Sequence, residues 1–144
     1  MKRPKVVIYT DGACSNGRGG WAACLHWNTD VVTLTGNEDN TTNNRMELTA
    51  VIRALESLTT NCDVELYSDS QYVLNGIMSW VRAWKRNGWK NRKGEPVLNR
   101  SLWERMLEQI NRHKVKTHWV KGHNGDPNNE AVDSLAQLLR QLPV

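Results

Sequence analysis

Short apolar runs alternate with longer amphipathic ones along this chain, and their order sets the fold class. Lys5 to Asp11 is apolar on both faces through Val6, Val7, Ile8 and Tyr9, the pattern of a strand at the centre of a sheet. After the turn Ser15-Asn16-Gly17-Arg18-Gly19-Gly20, Trp21 to Trp27 reads as a second strand. Asn28-Thr29-Asp30 then leads into Val31 to Thr35 as its antiparallel hairpin partner. Leu48, Val51, Ile52, Leu55 and Leu58 recur at helical spacing. Val64 to Asp69 is a fourth strand and Ser70 to about Trp80 a short helix. The basic segment that follows mixes helix and loop, with breaks at Gly88 and Gly94-Glu95-Pro96. Leu102, Met106, Leu107 and Ile110 form another helical stripe, and Val115 to Val120 alternates as a fifth strand. Asp126-Pro127, a cap followed by a first-turn proline, starts a last helix whose buried face is Val132, Leu135, Ala136, Leu139 and Leu142. The prediction is an α/β fold, a single domain over 1–144 with a mixed five-stranded sheet flanked by helices.

Four acids stand where these elements begin and end. Asp11 closes the first apolar run and precedes Gly12. Glu47 lies one residue ahead of the first helix's stripe, on its edge, able to reach the sheet margin without entering the core. Asp69 closes the fourth strand, and Asp133 lies beside the buried face of the last helix. An α/β sheet gathers its ligands at strand ends, and a hard divalent cation such as Mg²⁺ takes oxygen ligands while keeping several waters. Any one of these acids could be a solvated cap; the four together read as a metal site.

Composition narrows the class. With 39% apolar and 24% charged residues in 144, the chain is globular rather than disordered. Its longest apolar runs are far short of a membrane span, and Met1-Lys2-Arg3-Pro4-Lys5 leads into a strand rather than a signal-peptide core. Cys14, Cys24 and Cys62 lack CxxC spacing, which argues for a reducing compartment and against a disulfide framework or a zinc site; a cytoplasmic protein is expected. The net charge of +4 is unevenly spread: Ser70 to Gly94 carries Arg82, Lys85, Arg86, Lys90, Arg92 and Lys93 with no acid, leaving −2 for the remainder. A positive field confined to one segment points to a docking surface for a polyanion.

Five segments in order, Tyr9-Thr10-Asp11-Gly12, Thr42-Asn43-Asn44-Arg45-Met46-Glu47-Leu48, Ser68-Asp69-Ser70-Gln71-Tyr72-Val73, Trp119-Val120-Lys121-Gly122-His123 and Asn129-Glu130 with Asp133, resemble the motifs of bacterial type 1 ribonuclease H. The resemblance extends from about residue 5 to residue 140. It implies a ribonuclease H-like fold with a basic helical handle, here about 70–98. It also implies hydrolysis of the RNA strand of RNA–DNA hybrids with two Mg²⁺ ions, Mn²⁺ being an alternative. By the same resemblance Asp11, Glu47, Asp69 and Asp133 are the metal ligands. His123 is the catalytic histidine, suited by an imidazole near neutral pKa to move a proton or help release product. For His26, His113 and His118 a structural role is the better reading.

The resemblance also names the residues that touch the hybrid. Asn16, Asn43 and Gln71 stand at its hybrid-contacting positions, with Cys14, Thr42 and Asn44 nearby; amides can both donate to and accept from the 2′-OH that distinguishes RNA. Lys85, Arg86 and Lys90 are assigned to phosphates. Trp80, Trp84 and Trp89 are counted with this handle surface, although packing of the handle's helices is the preferred reading for their rings over base stacking. Two departures stand out: the loop after Asp11 is about two residues shorter than the family's form, and Ala83 replaces an asparagine that serves a DNA phosphate in many relatives. The handle is expected to supply affinity without an added hybrid-binding domain, in a monomer with no obligate protein partner. Two alternatives stay open at this stage: a catalytically silent hybrid-binding module, and a DNA nuclease of the same fold.

Overall fold

The computed structural model describes residues 2–122 and 125–144. The strands are β1 (Lys5–Ser15), β2 (Arg18–Trp27) and β3 (Asp30–Glu38), followed by helix α1 (Asn43–Glu56) and strand β4 (Asp63–Ser68). Then come α2 (Gln71–Asn75), a π-helical turn (Gly76–Trp80), α3 (Val81–Arg86), α4 (Arg100–Arg112), β5 (Lys114–Trp119) and α5 (Pro127–Leu139). The order of strands and helices is the one the hydrophobic pattern predicts. The sheet runs β3-β2-β1-β4-β5, with β1 to β3 antiparallel and β4 and β5 parallel to β1.

Three local expectations are corrected. The glycine-rich stretch after β1 is no broad loop. Asn16 (φ 53°) and Gly17 (φ 77°) make a two-residue turn, so β1 continues past Asp11 to Ser15, which pairs with Arg18. Two consecutive positive-φ residues are what the right-handed twist of a tight hairpin asks for. The helix after Ser70 does not stop near Trp80; it passes through the π turn into α3 and ends at Arg86, because no proline interrupts it. Leu142 lies beyond α5 and is 43% exposed, so it is not part of that helix's buried face.

The core explains the placement of the helices. Side chains alternate along β1: Val6 and Ile8 pack with Leu48, Val51, Ile52 and Leu55 of α1. On the other face Tyr9 stacks on Tyr67, and Tyr67 on His118, with Asn128 at the head of α5 hydrogen-bonded to Tyr9. That face is only half-buried, so β1 is central to the sheet but not sealed on both sides. Helix α1 is buried well beyond a single stripe, at Met46, Leu48, Ala50, Val51, Ile52, Ala54 and Leu55, since it lies between the sheet and α4. Trp103 of α4, outside the stripe read from sequence, is fully buried and donates its indole N–H to the Tyr72 hydroxyl at 3.0 Å. The carboxyl-terminal turn is tied down by Arg18, which donates to the Leu142 carbonyl at 2.8 Å, and by Asn37, 3.1 Å from the Pro143 carbonyl. No helix among the described residues is long and apolar enough to cross a membrane.

Candidate active site

Parallel pairing of β1 with β4 brings two acids level. The β1–β4 ladder ends with Tyr9 in register with Tyr67, so Asp11, within the longer β1, and Asp69, just past β4, follow two residues further along where the two strands part. Glu47 enters from α1, which crosses β1 at Gly12. A Cβ on residue 12 would lie 2.5 Å from the Glu47 nitrogen, so glycine is what allows helix and strand to approach this closely. The sequence reading gave Gly12 no role; a glycine directly after a strand-end acid was the available signal.

Carboxylate oxygens of Asp11, Glu47 and Asp69 all lie within 4.8 Å of one another. Asp11 is 2% exposed and accepts the Gly12 N–H at 2.9 Å. Its side chain is hydrogen-bonded to both Glu47 and Asp133, so α5 delivers the fourth acid to the cluster. Burial, followed by the neighbouring Asp69 charge, pushes the Asp11 carboxyl up to about 8. Glu47 is raised well above the usual carboxylate range, first by burial and then by the charges of Asp11 and Asp69. Glu47 Oε2 is buried with no hydrogen-bond partner. An unsatisfied buried carboxylate oxygen amid other acids is costly unless a cation completes the site. The donor set, oxygens alone, suits a hard divalent ion. As expected, Glu47 reaches the sheet margin outside the buried core, with one carboxylate oxygen, Oε2, closed off from solvent.

The expected hybrid-contacting residues lie on the β1–β2 hairpin, the head of α1 and the head of α2, the elements that adjoin the acids. Thr42 caps α1, accepting the Arg45 N–H at 3.2 Å, which exposes Asn43 and Asn44 on the first turn. The Thr41 N–H donates to the Gly17 carbonyl at 3.0 Å and the Cys14 thiol to the Thr41 carbonyl at 3.4 Å, so the hairpin bearing Cys14 and Asn16 is joined to the head of α1. Gln71, exposed, opens α2 directly after the Ser70 cap. His123 lies outside the described residues.

The handle divides into a packed side and a charged side. Trp84 lies 5.8 Å from Trp80 and 5.4 Å from Trp103, ring centre to ring centre, in a cluster that includes Tyr72. Trp89, counted with the handle surface, follows the preferred packing reading: it is buried in the core rather than offered to the hybrid, with the Arg100 guanidinium 5.6 Å from its ring. Its backbone adopts φ 62°, which turns the indole inward after the Gly88 bend. Lys85, Arg86 and Lys90 are exposed, and none forms an ion pair among the described residues. Two of the three histidines expected to be structural are held by hydrogen bonds: His113 accepts the Cys62 N–H at 3.0 Å and lies 3.2 Å from the Leu55 carbonyl, while His118 sits 2.7 Å from Glu65. His26 packs edge-on against Tyr9 with its Nε2 buried and unpartnered.

The chain is similar to known proteins over nearly its whole length. The family model for RNase H matches residues 3–140. The chain is 54% identical over 136 residues to a ribonuclease H of Bradyrhizobium sp. (strain ORS 278), covering 93% of this chain and 88% of the relative. It is 53% identical over 134 residues to a ribonuclease H of Xanthomonas campestris pv. campestris (strain 8004), covering 92% and 89%. Among solved structures it superimposes on LC9-RNase H1, a type 1 RNase H with the type 2 active-site motif, with a TM-score of 0.87 at 32% identity, over 98% of this chain and 74% of that one.

Proposed function

This chain belongs to the ribonuclease H family, and from that premise we propose how its site works. The enzyme is a metal-dependent endoribonuclease that hydrolyses the RNA strand of RNA–DNA hybrids, on a ribonuclease H-like α/β fold. The reading of the site rests on one observation above all: three carboxylates converge within 4.8 Å, one with a buried oxygen left without a partner.

We assign the metal ligands to Asp11, Glu47, Asp69 and Asp133, holding two Mg²⁺ ions, with Mn²⁺ able to substitute. Bound there, the cations supply Lewis acidity toward the attacking water and the leaving oxygen. The chain's own contributions are positional. Rigid β1 and β4 fix Asp11 and Asp69, and the Gly12 crossing fixes Glu47 against them. Asn43, Asn44 and Gln71, with Cys14, Asn16 and Thr42, flank the carboxylates as the hybrid-contacting surface, where amides can read the 2′-OH. His123 is assigned the proton transfer that accompanies turnover or product release. Lys85, Arg86 and Lys90 on the handle, about 70–98 in a single domain, hold phosphates; Trp80 and Trp84 brace that surface. We further propose that the protein acts as a cytoplasmic monomer.

The test is an incubation of labelled RNA–DNA hybrid, DNA duplex and RNA duplex with Mg²⁺, with Mn²⁺ and with chelator. Cleavage confined to the RNA of the hybrid, restored by Mg²⁺ after chelation, is expected. Cleavage of DNA duplex, or activity that survives chelation, would overturn the reading.

A further inference from the structure

The acid that closes β4 is held by a strand that contributes no ligand of its own. Asp69 lies between two peptide units, and each is fixed by hydrogen bonds. The unit before it is held where the Val120 N–H donates to the Ser68 carbonyl at 2.9 Å. The unit after it is gripped at both ends. At one end the Trp119 indole N–H donates to the Asp69 carbonyl at 3.2 Å; at the other the Ser70 N–H donates to the Ser68 hydroxyl at 3.0 Å. Holding both flanking planes restrains φ and ψ of Asp69, and so the direction in which its Cα–Cβ bond leaves the backbone.

Two of these three bonds come from the end of β5. The chain that follows stays close to the same acid: a Cβ on Gly122 would sit 3.1 Å from Asp69 Oδ2. Trp119 itself is 54% exposed. Burying apolar surface is therefore a poor account of an indole at this place, whereas its single N–H donor is fully used. A partly solvated side chain that gives its only hydrogen bond to the backbone of a metal-site acid supports that acid one step further back than a partner bonded to the carboxylate itself would.

We propose that Trp119 is a positioning residue for Asp69, its indole N–H holding the backbone from which that carboxylate would reach the metal. The proposal rests on the reading of Asp69 as a metal ligand. It assigns to β5, an edge strand, a share in the geometry of the active site.

The experiment compares the wild-type chain with Trp119→Phe, with replacement of Trp119 by benzothienylalanine, and with Asp69→Asn. Benzothienylalanine keeps the ring shape and exchanges the N–H for sulfur. Calorimetric titration with Mg²⁺ in the absence of hybrid, and kcat and KM for hybrid cleavage, are the readouts. Both Trp119 replacements are expected to weaken Mg²⁺ binding by about tenfold and lower kcat to a similar degree, the low end for residues that orient metal ligands. KM for hybrid and the melting temperature should be unchanged. Wild-type Mg²⁺ affinity and kcat in the benzothienylalanine variant would overturn the proposal, whatever the phenylalanine variant does. Should Asp69→Asn keep both Mg²⁺ binding and turnover, the assignment of Asp69 is what has failed, and the role of Trp119 falls with it.

Discussion

Gly12 and Glu47 meet backbone to backbone where β1 passes under α1, and this contact sets the depth at which the glutamate enters the acidic cluster. A Cβ at residue 12 would stand 2.5 Å from the Glu47 nitrogen and 2.6 Å from the Met46 carbonyl carbon, and neither backbone atom can yield as a flexible side chain would. Gly12→Ala is therefore expected to push α1 away from the sheet, at a cost of about 1–3 kcal/mol for an overpacked site. Activity should fall further than stability does, since Glu47 moves with its helix. Thermal denaturation alongside hybrid cleavage checks this; an alanine variant with unchanged Tm and turnover would show that the approach is looser than it looks.

The cluster also makes the metal-free fold pH-dependent. Asp11 is raised from the ordinary 3.8 to about 8 in the folded chain by burial and the Asp69 charge. A carboxyl raised on folding stabilises fully below its unfolded value, and that contribution is lost as pH rises through the folded value. Without metal, Tm should therefore decline between about pH 4 and pH 8, the span between those two values. Divalent cation should reverse the decline by binding the ionised form. Asp11→Asn, which carries no titrating proton, should flatten the profile and melt above the wild type at pH 8 in chelator. A metal-free Tm that climbs across this range would contradict the shift.

On the handle, charge and packing separate into different measurements. Each phosphate contact releases counterions, so binding should weaken steeply with salt. Replacing Lys85, Arg86 and Lys90 by alanine should raise KM at moderate salt and flatten the log–log salt slope by about 3, roughly 1 per contact. The rate at saturating hybrid should change little, because these contacts hold ground and transition states alike. Loss of kcat with KM unchanged would mean that the handle positions the scissile strand instead.

Trp89→Ala should do the opposite. The side chain is 9% exposed and packed in the core, so its removal should cost about 3–5 kcal/mol of stability. The salt slope should stay as in the wild type. Chemical denaturation measures the first effect and hybrid affinity across salt concentrations the second; an altered slope in a fully folded Trp89 variant would return this indole to the binding surface.

Periodicity carried most of the fold and the acids carried most of the site, for physical reasons. Alternation with period two and stripes at helical spacing are local, and the element order followed from them. Extents were less legible where a tertiary contact or a single turn decided them. Asn16-Gly17 closed a tight hairpin inside what reads as a longer polar loop, and α2 ran on through a π turn that no composition marks. Trp89 was legible only in part: packing was the better reading of an indole among cations, but its place in the core beside Arg100, with a left-handed backbone, depends on tertiary contacts. Asp11, Glu47, Asp69 and Asp133 were legible as a set: each alone reads as well as a solvated cap or turn residue, and only the four in their separate polar settings, with the motifs around them, read as a site. Gly12 and Trp119 were not, because each acts through backbone geometry that exists only once β1 meets α1 and β5 meets β4.

The claim on which the rest depends is that the converging carboxylates hold the catalytic metal. The direct measurement is the single-turnover rate at which Glu47→Gln cleaves the RNA strand of a hybrid in saturating Mg²⁺, with circular dichroism to confirm folding. The amide keeps the shape of the side chain and removes the charge at the buried, unpartnered oxygen. The expected result is a folded protein whose rate falls well beyond the roughly 10–100-fold typical of residues that only support metal ligands. A folded Glu47→Gln variant that cleaves at close to the wild-type rate would contradict the account.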